Sequence, residues 1–489
     1  MSSSQRVDRV LVSGSFWTSV GEVSGALADL VTSIVAARVL ELRDFGLFGA
    51  AMLVLAILDQ FSQTGFESAL VQKSDDPKSF LNVTFTWHLL RGLLMSGILL
   101  VAAPLVSRWY DEPALFSLLL CLSLAPLING IRNVGTVYFT RQLDFRTIFL
   151  IKISQTLLRL VVFLPAVLYF RNVWALVISQ LMGAIVGVVI SYVAHPYRPR
   201  LEWDREKLRE LVAYGKWLTG LAWLIFVITQ GDDIFVSKYL GIVALGVYQY
   251  AYKLSNTPAT AITHVVGGIA MPMYSRLQDA PEERKAAFIK VMRLTLFLAG
   301  PVSVFIYFAV PDVVAFVIGE KWAPAIPLVR ILVLGGVVRS FAALAGPVFA
   351  ATGRPDFDFK MNLPRFFCIV IGLYPAARFG GLEGVSWLVL AAIMCCLPTW
   401  FYGLKRLIGI TPREVLKHNV LAILGSLLLA GSYYAVRKPI GSETVWSAAV
   451  GTLAWVGAWL AALWLLGRLT PWDMVGELQR LRATLKNKA

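Results

Sequence analysis

Six basic side chains stand inside stretches of this chain that are otherwise apolar: Arg91, Arg132, Arg159, Lys253, Arg330 and Arg339. Each costs about 2.5–3.5 kcal/mol at the centre of a bilayer on insertion scales, so leaving them there points to a water-filled cavity or to internal pairing. His88 lies one helical turn before Arg91, and Gln155 four residues before Arg159, so each shares a helix face with its cation. The planar fork of Arg grips phosphate oxygens in two bonds, and Lys adds a compact charge. Arg91, Arg159 and Lys253 are read as cavity cations. Arg132, beside Asn129, and Arg339 lie within two to three turns of a span's end, where snorkelling to the interface is the competing account.

The acidic residues fall into two groups. Glu22 and Asp29 are seven residues apart and share one face of a helix, with Gly21 and Gly25 beside them as a small-xxx-small pair. Asp59, Gln63 and Glu67 form a polar stripe on the next span. Two readings stand side by side: a carboxylate that binds H+ or Na+ and couples transport to an ion gradient, or counter-ions for the basic group. Asp232 and Asp233 read as an extracellular gate or a solvated edge, and His195 as a solvated loop residue. No phosphate-cradling Gly loop, nucleophile elbow or metal motif is present. Cys121, Cys368, Cys395 and Cys396 sit in apolar runs as small core residues, so no catalytic residue, metal or cofactor is expected.

The elements that must carry these residues are membrane helices. Hydrophobic residues make up 57% of the 489 and charged ones only 15%, against about 25% charged in soluble proteins. The mean hydropathy is +0.68. Lipid is therefore the solvent, and the fold class is an all-α membrane protein. The formal charge of +15 resembles a nucleic-acid signal but is read as the cytoplasmic excess of Lys and Arg in a membrane protein, because no soluble basic domain carries it. Fourteen spans are read near 11–37, 45–69, 80–106, 114–139, 147–170, 173–194, 211–237, 244–271, 286–310, 326–350, 361–379, 384–403, 417–436 and 444–467. With both termini cytoplasmic, 30 Lys and Arg fall inside and 9 outside, which sets the orientation.

An offset of 200 pairs Trp17 with Trp217, Arg38 with Lys238, Leu40 with Leu240, Gly46 with Gly246 and Phe48 with Tyr248. Later pairs, Trp109 with Trp322 and Asp144-Phe145 with Asp356-Phe357, need about 212. The chain thus divides into an N-lobe over 1–194, a basic linker over 195–210, a C-lobe over 211–403, two further spans over 404–467 and an amphipathic tail over 468–489 on the cytoplasmic face. The two six-helix lobes are pseudo-twofold repeats about an axis along the membrane normal. A second surface helix is expected over Trp203–Leu211.

The stretch Ala37-Arg38-Val39-Leu40, then Asp44-Phe45-Gly46, then Gly65 with Ala69-Leu70-Val71-Gln72, resembles the start of polysaccharide exporters of the Wzx and teichuronic-acid type. Gly319-Glu320-Lys321-Trp322 with Ile331-Leu332, and Gly353 with Asp356-Phe357, resemble their second half. The resemblance implies a flippase of lipopolysaccharide or exopolysaccharide biosynthesis in the bacterial inner membrane. Its partners would be a glycan on undecaprenyl pyrophosphate, the lipid bilayer, and a polymerase and glycosyltransferases of the same pathway; a monomer is expected. On that reading Arg91, Arg159, Lys253, Arg132, Arg339 and His88 bind the substrate, and Glu22, Asp29, Asp59 and Glu67 serve ion coupling. The nearer rival is a multidrug exporter of the same superfamily, which favours aromatic and acidic residues in the cavity. The farther is a membrane polymerase or glycosyltransferase, which needs a large outward loop; here the longest has about 15 residues, around Pro311–Ala325.

Overall fold

The computed structural model of the chain describes residues 3–62, 66, 70, 78–277, 280–354, 356–440, 450–459 and 461. The expected tail over 468–489 lies outside the described residues. Among the described residues the chain folds as helices without strands. They are α1 (Ser3–Val39), α2 (Leu42–Ser62), α3 (Lys78–Trp109), α4 (Ala114–Leu122), α5 (Leu124–Gly130), α6 (Val137–Arg141), α7 (Phe145–Phe170), α8 (Trp174–Ala194), α9 (Arg205–Tyr239) and α10 (Ile242–Arg276). There follow α11 (Pro281–Asp312), α12 (Ala325–Ala342), α13 (Ala345–Ala351), α14 (Asp356–Cys395), α15 (Leu397–Ile408), α16 (Pro412–Ile440) and α17 (Val450–Trp459).

Eight helical stretches among the described residues are long and apolar enough to cross a membrane, or up to ten if each of two bent pairs is one span. The expected fourteen exceeds that count for identifiable reasons. Helices α9 and α10 run along expected spans seven and eight but are not among the eight. Asp356–Ile408 is counted as one stretch, although Gly381 (φ 54°, ψ −137°) breaks α14. A Cβ on Gly384 would lie 2.1 Å from the carbonyl oxygen of Ala376. Residues eight apart in a straight helix are about 12 Å apart along the axis, so the two arms of α14 fold back on each other at Gly381. Expected span four is itself bent by 61° between Ala114–Gly130 and Val134–Arg141.

Helix ends follow local chemistry. Asp144 caps α7 by accepting from the Thr147 amide at 3.1 Å, and α7 stops at Arg171, which takes a left-handed φ of 50°. Asp204 accepts from the amides of Glu206 (2.9 Å) and Lys207 (3.1 Å), so α9 starts at Arg205 and continues into the membrane run. The expected separate surface helix over Trp203–Leu211 is therefore the first two turns of α9. Lys207, bonded to Glu202, holds the Glu202 carboxyl below its ordinary range.

The described helices gather into two compact units, one of Phe16–Lys253 with Phe359–Cys396, the other of Leu254–Asp358 with the described residues from Leu397 onward and those up to Ser15. In the latter, α11 packs against α12 and α16. Lys285 meets Glu414 at 2.7 Å and, with the Thr411 amide and hydroxyl, holds that carboxyl down to about 2. In the former, Ala36, Leu40, Phe163, Val167 and Ala175 form a core where α1, α7 and α8 meet. Helices α9 and the start of α10, which open the second sequence repeat, pack here with the first.

The contact between the repeats has its own symmetry. A Cβ on Gly46 would fall 1.9 Å from the carbonyl oxygen of Ile242, and one on Gly246 would fall 2.4 Å from that of Leu42. A Cβ on Gly49 would fall 2.1 Å from Oε1 of Gln249. Each of these contacts joins positions related by the offset of 200, either reciprocally or to their own equivalents. That is the pattern of an isologous interface, where residue i meets j and j meets i. The pseudo-twofold axis therefore runs between α2 and α10 at Gly46 and Gly49. Only the absence of Cβ atoms lets the two helices approach so closely.

Candidate functional site

Two cavities open in the unit of Phe16–Lys253. The larger, about 420 Å³, is lined by Asp59, His88, Arg91, Asn129, Arg132 and Gln180 among others. Its cations come from α3 and from the break in span four. Arg91 is seated on α2. Its Nε donates to Ser62 Oγ at 2.9 Å, one Nη donates to the Asp59 carbonyl at 3.3 Å, and the same group pairs with the Asp59 carboxylate. Arg132 is exposed in the larger cavity, and no carboxylate partner for it is found among the described residues.

The smaller cavity, about 220 Å³, is lined by Arg159, Lys253, Phe45, Phe163, Tyr250 and again Gln180. Arg159 donates to Asp29 at 3.0 Å, and Lys253 lies within electrostatic reach of both. Below this pair Lys152 meets Glu22 at 3.6 Å. Glu22 and Asp29 are seven apart, and so are Lys152 and Arg159. Helices α1 and α7 run parallel, so equal spacing keeps the two ion pairs in register. The Arg159 and Asp29 side chains are 40% and 50% exposed. Charges so exposed on membrane helices cannot face lipid at the costs given above, so this face is hydrated. An exposed pair contributes only about 0–1 kcal/mol, which leaves Arg159 free to exchange its partner at little cost.

The structure thus distributes the sequence-predicted residues. Asp59, His88, Arg91 and Arg132 share one cavity; Arg159 and Lys253 share the other, with Asp29 bonded to Arg159. Glu22, Asp29 and Asp59 each meet a cation. Arg339 belongs to the other compact unit and lines neither cavity; its guanidinium donates to the Leu332 carbonyl at 3.2 Å. Glu67 lies outside the described residues. Three participants escape the reading of charges alone. Lys152 sits close enough to the end of its span to count as a loop charge. Asn129 and Gln180 are uncharged, and a neutral amide in an apolar run is the signal that marks them.

Two expectations are corrected. Asp232 is not a solvated edge: it is 3% exposed and accepts from Tyr248 Oη at 2.6 Å, while Asp233 accepts from Gln249 Nε2 at 3.1 Å. His195, read as a solvated loop residue, is instead half-buried in a docked segment. Asn133, at the break in span four, donates to the carbonyls of His195 (3.2 Å) and Tyr197 (2.9 Å). Tyr197 bonds Asn82, and Glu202 N donates to Thr86 Oγ1 at 2.9 Å. His195 stacks on Tyr138 at 5.6 Å. Burial, and then the Arg198 charge, push its pKa below 6.5. The segment is a strap tied across the ends of α3 and α5.

Long apolar helices that carry partly exposed ion pairs on their facing sides are the arrangement of a membrane transporter. A family profile described as polysaccharide biosynthesis protein matches residues 35–327, and the chain belongs to that family. It is 22% identical over 410 residues to the lipopolysaccharide biosynthesis protein WzxC of Escherichia coli K12, covering 82% of each chain. It is 24% identical over 383 residues to the succinoglycan biosynthesis transport protein ExoT of Rhizobium meliloti, covering 78% of this chain and 76% of that one. Among solved structures, the inward closed form of the lipid II flippase MurJ superposes with a TM-score of 0.76 at 14% identity, covering 94% and 99% of the two chains. An outward-facing MATE family multidrug transporter of the MOP superfamily superposes with 0.58 at 14% identity, covering 81% and 96%. The likeness to solved structures concerns the fold.

Proposed function

We propose that this chain is a flippase that carries an oligosaccharide linked to undecaprenyl pyrophosphate across the bacterial inner membrane by alternating access, for surface polysaccharide synthesis. It is a transporter rather than an enzyme, with both termini in the cytoplasm. The observation that carries this reading is the gathering of Arg91, Arg132, Arg159, Lys253 and His88 into two cavities that share a wall residue. With the basic side facing the cytoplasm, Arg132 stands nearer the entry and Lys253 deeper, with Arg91 and Arg159 between them at similar distances along their helices. An anionic head is captured first at the larger cavity and passed to the smaller one, while the glycan follows and the polyprenyl tail stays in lipid.

The carboxylates act first as counter-ions. When a phosphate oxygen takes Arg159 from Asp29, or Arg91 from Asp59, the released carboxylate becomes a site for H+ or Na+, and this exchange couples the substrate to an ion gradient. Arg339 keeps a place in this scheme as a cation of the second repeat. Four Arg and Lys against one carboxylate in the two linings favour the flippase over the drug exporter, although the smaller cavity also carries aromatic rings; a direct efflux assay with cationic drugs separates the two.

The test is the triple variant Arg91→Ala, Arg159→Ala, Lys253→Ala. Polymer at the cell surface should fall below detection while the protein remains in the membrane at its normal level. Normal export by that variant would defeat the assignment.

A further inference from the structure

Gln180, on α8, lines both cavities. Its amide makes no hydrogen bond among the described residues, although it offers two donors and an acceptor with two lone pairs. The face of α8 beyond it is cut back. A Cβ on Gly183 would lie 3.2 Å from Cδ of Arg159, and one on Gly187 3.4 Å from Nε2 of Gln155. Gly183 therefore seats the stem of Arg159 against α8 one turn from Gln180. Nε2 of Gln155, one turn along α7, is buried and has no partner among the described residues. Unspent amide groups thus stand along the groove where the cation of the smaller cavity is held.

The chemistry differs on the two sides of Gln180. The smaller cavity sets Arg159 and Lys253 among aromatic rings and the polar side chains of Thr32, Ser33, Ser179 and Gln249, with no carboxylate in its lining among the described residues, which suits a compact anion that only accepts hydrogen bonds. The larger mixes Asp59, His88, Asn129 and Arg132, which suits hydroxyls that both donate and accept. A carrier diphosphate joined to a sugar is one molecule with these two halves. On the reading of the cavities as the substrate path, we propose that Gln180 seats the junction between them. Its NH₂ donates to a diphosphate oxygen in the smaller cavity and its carbonyl accepts from a hydroxyl of the first sugar in the larger. Gln180 is then the residue by which the site tells a glycan-bearing carrier from the bare carrier diphosphate.

The test measures binding of two probes to the purified full chain: farnesyl diphosphate, and farnesyl diphosphate bearing one N-acetylglucosamine. The sugar-bearing probe should bind the unmodified chain more tightly. In Gln180→Met, which keeps the volume and loses the amide, the ratio of the two affinities should fall about tenfold, the size of a lost hydrogen bond that a site was built to make. Gln180→Asn, which withdraws the amide by one carbon and keeps its polarity, reads the same ratio if the Met variant does not fold. A ratio unchanged in the variant, or a ratio of one in the unmodified chain, overturns the proposal. If the unmodified chain binds neither probe, or if Arg159→Ala binds the bare diphosphate undiminished, the cavities are not the substrate path, and the proposal falls with that reading.

Discussion

Arg159 shows what a single side chain contributes here. Its stem lies on Gly183, its guanidinium reaches Asp29, and it faces a cavity that also holds Lys253. A Lys at this position keeps the charge, so Asp29 retains a counter-ion and the fold should persist. It loses the planar fork that takes two phosphate oxygens at once. Arg159→Lys is therefore expected to lower polymer export about tenfold with no change in membrane abundance; equal export would mean that charge alone is used at this position. Such residues are legible in sequence because a cation in an apolar run is costly and conspicuous. Gln180 is less so, since a neutral amide costs much less and its importance comes from facing two cavities at once. That fact depends on the rotation of α8 about its own axis, which hydropathy does not encode. Asp232 is a different case. It does lie within two turns of the end of α9, where the hydropathy reading placed it, but the rotation of the helix turns its carboxylate onto Tyr248 rather than into water.

At the scale of elements, the strap over residues 195–204 has the clearest consequence. The basic run between the sixth and seventh spans reads as a linker, and its charge says nothing about docking. Docking arises from Asn133 and Asn82, two amides that accept and donate to its backbone and side chains. The amide of Tyr197 donates to Nδ1 of His195 at 3.2 Å, a bond that requires the neutral ring. Burial and Arg198 push the His195 pKa below 6.5 in the docked state, so the undocked strap binds the proton more readily. Above 6.5 both states are neutral and docking is at full strength. As pH falls below 6.5 toward the lowered value, docking weakens. Amide hydrogen exchange at Tyr197 and Glu202, corrected for the intrinsic rate, should accelerate at pH 5.5 relative to 7.5. His195→Gln should remove that difference. Equal protection at both pH values in the unmodified chain would show that the ring does not hold the strap.

The whole molecule turns on the axis between α2 and α10. The repeat is legible in sequence as an offset of 200, and the glycines at 46 and 246 belong to that match. What the offset leaves open is that equivalent positions touch, since self-similar segments can lie anywhere relative to their axis. Here Gly46 meets Gly246, and Gly49 meets Gln249, so any rocking of the two repeats that opens a path along this axis must part these residues. Alternating access with the cavities as substrate path requires such parting in every cycle. Cysteines at Gly49 and Gln249, in a chain whose Cys121, Cys368, Cys395 and Cys396 are replaced, place two thiols across the crossing. A disulfide between them, or a short bifunctional maleimide, would hold it shut. The crossed-linked protein should stop exporting polymer, and reduction of the disulfide should restore export. Gln249→Cys alone, which shortens the side chain at the close approach and adds no atom to Gly49, should export normally under the same oxidant. If the doubly substituted chain exports at full rate while cross-linked to completion, the repeats do not separate at this axis, and the path must open around a fixed contact between α2 and α10.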